Sequence, residues 1–157
     1  RGKPDLAPDE LYDEVDRDAL RLTRELLAGS EDDSTAFEGV MRAYRMPRET
    51  EAEREARSVA IQDTMEHATG VPLRNGERCV EVLRLIGRLT PRHNSNATSD
   101  LDVGRRLATA GLEGCIDNVQ INLGSLKREA AREMFTDRLE QLRAAAEEAV
   151  RANEEGK

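Results

Sequence analysis

VDRDALRLTRELLAGSEDDSTAFEGVMRAY, residues 15–44, sets a small or apolar side chain at every third or fourth position. Val15, Ala19, Leu22, Leu26, Ser30, Asp33, Phe37, Val40 and Tyr44 share one face of a long helix at that spacing. The face is apolar except at Ser30 and Asp33, so an acid stands where a core residue is expected. A carboxylate withdrawn from water beside Phe37 can exchange protons near neutral pH, which makes Asp33 a candidate catalyst. The alternative is that Glu31, Asp32 and Asp33 form a solvated run at a break at Gly29, with shorter helices on either side.

Working outward, the same periodicity fills most of the chain. Arg1–Pro8 is an irregular lead-in with two prolines, and Asp9 suits the N-cap of a helix running over 9–46 until Pro47 ends it. Thr50 and Glu53 form a capping-box pattern that opens a second helix over 50–69, with Gly70 and Pro72 breaking it. His67 lies on that helix and reads as a structural histidine. A third helix over 73–90 carries two apolar stripes, one through Leu73, Gly76, Val80 and Leu83, the other through Cys79, Val82 and Ile86, which predicts burial between neighbours. The polar loop 91–98 leads to a fourth helix over 99–123, where Thr98 or Ser99 can cap and Asp100 suits the first turn. On it, Leu107, Gly111, Cys115, Asn118 and Asn122 share a face, and a buried pair of asparagines needs partners. Those partners are either a neighbouring helix or subunit, or a bound polar heterocycle. A last helix covers 126–152.

Composition agrees with this pattern. The 157 residues are 36% charged and only 3% aromatic, without Trp, and strand alternation is absent, so the expectation is one all-α domain over 1–157. It should be an up-and-down bundle of about five long helices that dimerises through helix faces. A net charge of −8 argues against nucleic acid or an anionic membrane as partner. No segment reads as a membrane span or signal peptide, and Cys79 and Cys115 sit alone in apolar stretches, as reduced core residues of a cytoplasmic protein would. His93 has no clustered His or Cys, so no metal is expected.

Five stretches, in order, narrow the reading further. They are Asp33-Ser-Thr-Ala-Phe37, Ala43-Tyr-Arg-Met-Pro-Arg-Glu-Thr50, Val71-Pro-Leu73, Asn94-Ser-Asn-Ala-Thr-Ser-Asp100 and Asn118-Val-Gln-Ile-Asn-Leu123. Together they resemble the cyclodeaminase/cyclohydrolase family, which includes the C-terminal domain of formimidoyltransferase-cyclodeaminase and stand-alone methenyltetrahydrofolate cyclohydrolases. The resemblance implies a homodimeric helical bundle acting on one-carbon tetrahydrofolate derivatives, with no metal or redox cofactor. It matches Asp33 to the family's acid and Asn118 and Asn122 to its paired asparagines. Ser99 and Asp100 match a helix start that can bind anions. Lys3 matches a basic position able to meet the folate's anionic tail or ring. Members typically open with a Gly-rich segment and a small-residue helix ahead of a Gly-Lys pair. Gly2-Lys3 resembles that pair, so the family's first helix is expected to lie outside this sequence, which opens on Arg1 rather than Met.

The resemblance implies either of two reactions: hydrolytic opening of 5,10-methenyltetrahydrofolate to 10-formyltetrahydrofolate, or ring closure of the 5-formimidoyl compound with loss of ammonia. The sequence shows no transferase domain, which favours the cyclohydrolase; a separate formimidoyltransferase partner would suit the cyclodeaminase. A third expectation, of another class, is a non-catalytic dimer that scaffolds a partner, with the polar residues setting helix register. A scaffold would bury Asp33, Asn118 and Asn122 against one another; an enzyme would arrange them around a cleft.

Overall fold

Thr50 and Glu53 cap each other at the start of the longest helix. Thr50 Oγ1 accepts from the Glu53 N–H at 3.2 Å, and Glu53 Oε2 accepts from the backbone N–H groups of Thr50 and Glu49, each at 2.9 Å. The Thr50 N–H, joined by that of Glu49, holds the Glu53 carboxyl below the usual carboxylate range against partial desolvation. The computed structural model describes residues 9–155 as four long helices. They are α1 (Asp9–Tyr44), α2 (Glu51–Leu89), α3 (Thr98–Leu123) and α4 (Glu129–Glu155), with two single 3₁₀ turns, Thr90–Arg92 and Ser95–Ala97, between α2 and α3. The all-α, up-and-down expectation holds, with four helices rather than five.

The difference lies at Pro72. The second and third expected helices are one 39-residue helix that passes through Gly70 and Pro72 without ending. Proline has no N–H for the carbonyl four residues back, here that of Ala68, and the lost bond normally breaks a helix. Asn122 replaces it: its Nδ2 donates to the Ala68 carbonyl at 3.0 Å. The break is thus repaired by a side chain from α3, 54 residues away. Gly70 is buried against the Phe135 ring, 3.7 Å from where a Cβ would stand, so packing replaces the propensity that glycine lacks.

α2 is the central helix and packs on the other three, while α3 and α4 also pack on each other. Leu73 and Leu83 of α2 have no exposed surface, and Val119 of α3 joins them. Full burial of one such leucine is worth about 1.5–3 kcal/mol. Both stripes expected on the second half of α2 are buried or nearly so. Gln62 fixes the turn into α4: Nε2 donates to the Ser125 carbonyl at 3.3 Å and Oε1 accepts from the Lys127 N–H at 2.7 Å. That clamp and the buried Leu126 hold 124–128 outside the helix, so α4 starts at Glu129 rather than 126.

α1 runs unbroken, so Gly29 marks no interruption. Its inward face is Val15, Leu22, Gly29, Ala36 and Ala43, a repeat of seven, with Val40 added. The expected stripe advanced by slightly more than 3.6 residues a turn, as on a straight helix; the buried seam follows the 3.5-residue period of helices that wrap around each other. The two coincide at Val15 and Leu22, part at 26–37, and share Val40 again. Phe37 is 64% exposed and Tyr44 47%, so the apolar shelter expected for Asp33 beside Phe37 is not built within one chain. Among the described residues no helix is long and apolar enough to cross a membrane.

Candidate active site

Because α1 and α3 both lean on α2 and little on each other, a trough runs between them with α2 as its floor. It has two lobes, of ≈ 150 Å³ and ≈ 310 Å³. Asp33 from α1 and Asn118 from α3 line both lobes, and Asn122 lines the smaller. Three of the expected site residues therefore meet around one open cavity. This is the enzyme-like arrangement, not the tightly packed one a scaffold would show.

Asp33 is half-buried. Among the described residues its carboxylate has no ion-pair or hydrogen-bond partner, so its oxygens are left for whatever enters the trough. Its position along α2 is set one turn earlier. Asn75 Nδ2 donates to the Gly29 carbonyl at 3.1 Å, and Asn75 Oδ1 accepts from Arg78 Nη1 at 2.8 Å. A Cβ at Gly29 would run into the Asn75 amide, so only glycine lets the helices meet there. Arg78 Nε in turn donates to Glu25 at 3.2 Å, and Arg21 bridges Glu25 (3.2 Å) and Glu81 (2.8 Å). The Arg21 guanidinium, helped by Arg78, holds the Glu25 carboxyl below its ordinary range despite some desolvation. These contacts hold α1 in register on α2. Asn75 was not singled out from the sequence, because its partner is a backbone carbonyl 46 residues away.

The asparagine pair has one member with a structural duty. Asn122 Nδ2 donates to the Ala68 carbonyl and, at 3.3 Å, to Asn118 Oδ1. Asn118 Nδ2 and Asn122 Oδ1 make no hydrogen bond among the described residues, which leaves the pair one donor group and one acceptor for a ligand. The first alternative for this pair, bonding to a neighbouring helix, is thus met by Asn122. The stripe to which the pair belongs is not fully buried: Leu107 is 69% exposed, and the core face of α3 is instead Ala108, Leu112 and Val119.

Cys79 and Cys115 are not isolated. Cys79 is buried, Cys115 half-buried, and both line the larger lobe. The neighbouring Cys79, burial and the negative charge of Asp33 push the Cys115 thiol up, while Cys115 holds that of Cys79 down.

Ser99 and Asp100 do not join this cluster. Both are exposed in the first turn of α3, about 27 Å along the helix from Asn118 at 1.5 Å per residue. Neither Thr98 nor Ser99 caps α3. Ala97 holds the cap position, because Thr98 Oγ1 turns back to donate to the Ser95 carbonyl at 2.9 Å. His93 sits against the Thr90 carbonyl (2.6 Å) and Thr98 Oγ1 (2.7 Å), which commits both ring nitrogens to holding the loop. Lys3 lies outside the described residues.

Comparison with known proteins gives the family. Residues 2–141 match the family described as formiminotransferase-cyclodeaminase. A methenyltetrahydrofolate cyclohydrolase from Methylorubrum extorquens is 37% identical over 133 residues, 85% of this chain and 62% of the relative. A formimidoyltransferase-cyclodeaminase from Gallus gallus is 34% identical over 67% of this chain and 19% of its own length. The chain thus spans about six-tenths of the first relative and about a fifth of the second. The crystal structure of formiminotetrahydrofolate cyclodeaminase from Thermotoga maritima superposes with a TM-score of 0.74 over 87% of this chain and 64% of that one, at 24% identity, and shares the fold.

Proposed function

This chain belongs to the formiminotransferase-cyclodeaminase family, and on that premise we propose that it hydrolyses 5,10-methenyltetrahydrofolate to 10-formyltetrahydrofolate. The observation that carries the reading is the meeting of Asp33, from one helix, with Asn118 and Asn122, from another, around one open trough.

In this reading Asp33 has two tasks. The methenyl carbon lies between two nitrogens and shares their positive charge, so a carboxylate with no internal cation suits it. Asp33 then takes a proton from the water that attacks this carbon and passes it to N5 as the N5–carbon bond breaks; the second proton, on the hydroxyl of the intermediate, leaves to solvent as the C=O forms, and the formyl group stays on N10. Such general-base help contributes about 10²–10⁴-fold. The Asn118 Nδ2 group donates to the oxygen of the tetrahedral intermediate, and Asn122 Oδ1 accepts from the pterin ring. The reaction so written uses the folate alone, without metal or redox cofactor.

A second reading rests on the cyclodeaminase relatives. The same groups would serve ring closure of 5-formimidoyltetrahydrofolate, with Asp33 taking the N10 proton and ammonia leaving. A separate formimidoyltransferase would then supply the substrate.

The working form in either case is a homodimer. α1 leaves Leu20, Leu27, Phe37, Met41 and Tyr44 exposed on one flank, and α3 leaves Val103, Leu107 and Ile121. A second copy covering this flank would shelter Phe37 and Asp33 from water and bring the start of its own α3, with the backbone N–H groups at Ser99 and Asp100, to the trough rim, where they meet the folate's anionic tail. Sedimentation velocity is expected to give twice the monomer mass.

The deciding assay follows the near-ultraviolet band of the methenyl compound on the longest form of the protein. Accelerated loss of the band starting from methenyltetrahydrofolate supports the cyclohydrolase. Growth of the band with ammonia, starting from the 5-formimidoyl compound, supports the cyclodeaminase. A folded dimer that does neither overturns both.

A further inference from the structure

We propose that Cys79 and Cys115 form an oxidisable dithiol, a modification site where a hydroperoxide closes a disulfide that staples α2 to α3 beside Asp33. Three observations carry this. The first is proximity built by glycine. A Cβ on Gly76 would stand 3.3 Å from the Cys115 Cβ, and a Cβ on Gly111 would stand 3.4 Å from the Cys79 Sγ. Each cysteine therefore faces a glycine of the opposite helix, and both side chains lie in the same close seam between α2 and α3. A disulfide needs Cβ atoms about 3.5–4.5 Å apart, which helices in such contact can supply with small shifts. The second is access: both cysteines line the ≈ 310 Å³ lobe of the trough, so the pair is not sealed in the core. The third is activation. The neighbouring Cys115 holds the Cys79 thiol below its ordinary range, toward the thiolate that attacks peroxide.

The chemistry balances as follows. The Cys79 thiolate attacks the terminal oxygen of a hydroperoxide; the O–O bond breaks, alcohol or water leaves, and Cys79 becomes a sulfenic acid. The Cys115 sulfur then attacks the Cys79 sulfur; the S–O bond breaks and water leaves with the Cys115 proton. Two thiols lose two electrons and the peroxide gains them. A dithiol reductant reverses the result. Cys115 lies one turn before Asn118, and Cys79 one turn after Asn75. Drawing the sulfurs in to about 2.05 Å therefore narrows the trough where Asn118 faces Asp33. The effect on turnover rests on the function proposed above; formation of the bond does not.

The test treats the full chain with hydrogen peroxide and reads two signals. Mass spectrometry should show loss of two hydrogens (about 2 Da) per chain, a Cys79–Cys115 cross-linked peptide, and recovery of both thiols with dithiothreitol. Cys115→Ser should abolish the cross-link and leave oxygen adducts on Cys79. Methenyltetrahydrofolate turnover should fall by about tenfold or more on oxidation and return on reduction, while in Cys115→Ser the ratio of treated to untreated rates stays near one. Thiols that survive peroxide, oxygen adducts without a cross-link, or a cross-link between chains would overturn the site. A cross-link that leaves turnover unchanged would overturn its action on the trough. If the protein has no folate turnover at all, the proposed function fails and the mass readout still decides the disulfide.

Discussion

α3 closes against α4 behind α2 but stands off from α1 in front of it. Behind, the seam is apolar and tight: a Cβ on Gly76 would meet the Leu142 Cδ2 at 2.8 Å, and Leu83, Leu112 and Leu139 are 5% exposed or less. In front, Ser30, Asp33 and Asn118 occupy positions that the helical pattern assigns to core residues, Asn75 lines the trough with them, and the helices stay apart. The same α2 therefore supports a seam that holds the molecule together and a trough whose walls keep the Asp33 carboxylate and the Asn118 amide group open to whatever enters. Close packing and open polar space have been separated onto opposite sides of one helix.

That separation can be broken deliberately. Asp33→Asn should cut turnover by about 10²–10⁴-fold while leaving the melting temperature unchanged or slightly higher, since it removes one charge from the trough. A wild-type rate from the variant, or a collapse of its fold, would refute the division. Leu83→Ala is the reverse experiment. Emptying a fully buried site should cost about 2–5 kcal/mol in urea unfolding, with kcat/KM per folded molecule preserved.

A finer test concerns the residue that serves both sides. Asn122→Ala leaves the Ala68 carbonyl without a donor and should cost about 1 kcal/mol or more. Pro72→Ala restores a backbone N–H to that carbonyl, so the cost of Asn122→Ala should shrink in that background. A double-mutant cycle with no coupling would mean that the asparagine does not stand in for the missing N–H. The smallest effect is expected at the α2 cap. The Glu53 carboxyl lies below its ordinary range when folded, so it stabilises the fold at neutral pH and loses that contribution as pH falls through the carboxylate range. The melting-temperature gap between wild type and Glu53→Gln should therefore be open at pH 7 and closed near pH 3.

Much of this was legible from the sequence, and the rest was hidden for identifiable reasons. Helical periodicity, the Thr50–Glu53 cap and the paired stripes of 73–90 are local patterns, and they appear as read. Residues 33, 118 and 122 could be nominated because each interrupts an apolar face. The exact course of the α1 seam could not, because a 3.5-residue and a 3.6-residue stripe start on the same side chains and separate only over several turns. Pro72 was read as a breaker because its remedy, Asn122, stands 50 positions later. Asn75 and the thiol pair were missed for the same reason: their partners are set by which helices touch. Ser99 and Asp100 came forward from the family pattern, and within one chain nothing ties them to Asp33.

The bond from Asn122 to the Ala68 carbonyl also bears on how the chain matures. During synthesis α2 emerges before α3, and at that stage the middle of α2 has a proline and no surrogate donor for the Ala68 carbonyl. The two halves of α2 should therefore behave as separate, fraying segments on the ribosome. They join into one rod only when residues 118–122 have left the exit tunnel and docked. Completion of the longest helix then waits for α3, and it coincides with assembly of the trough that α2 floors.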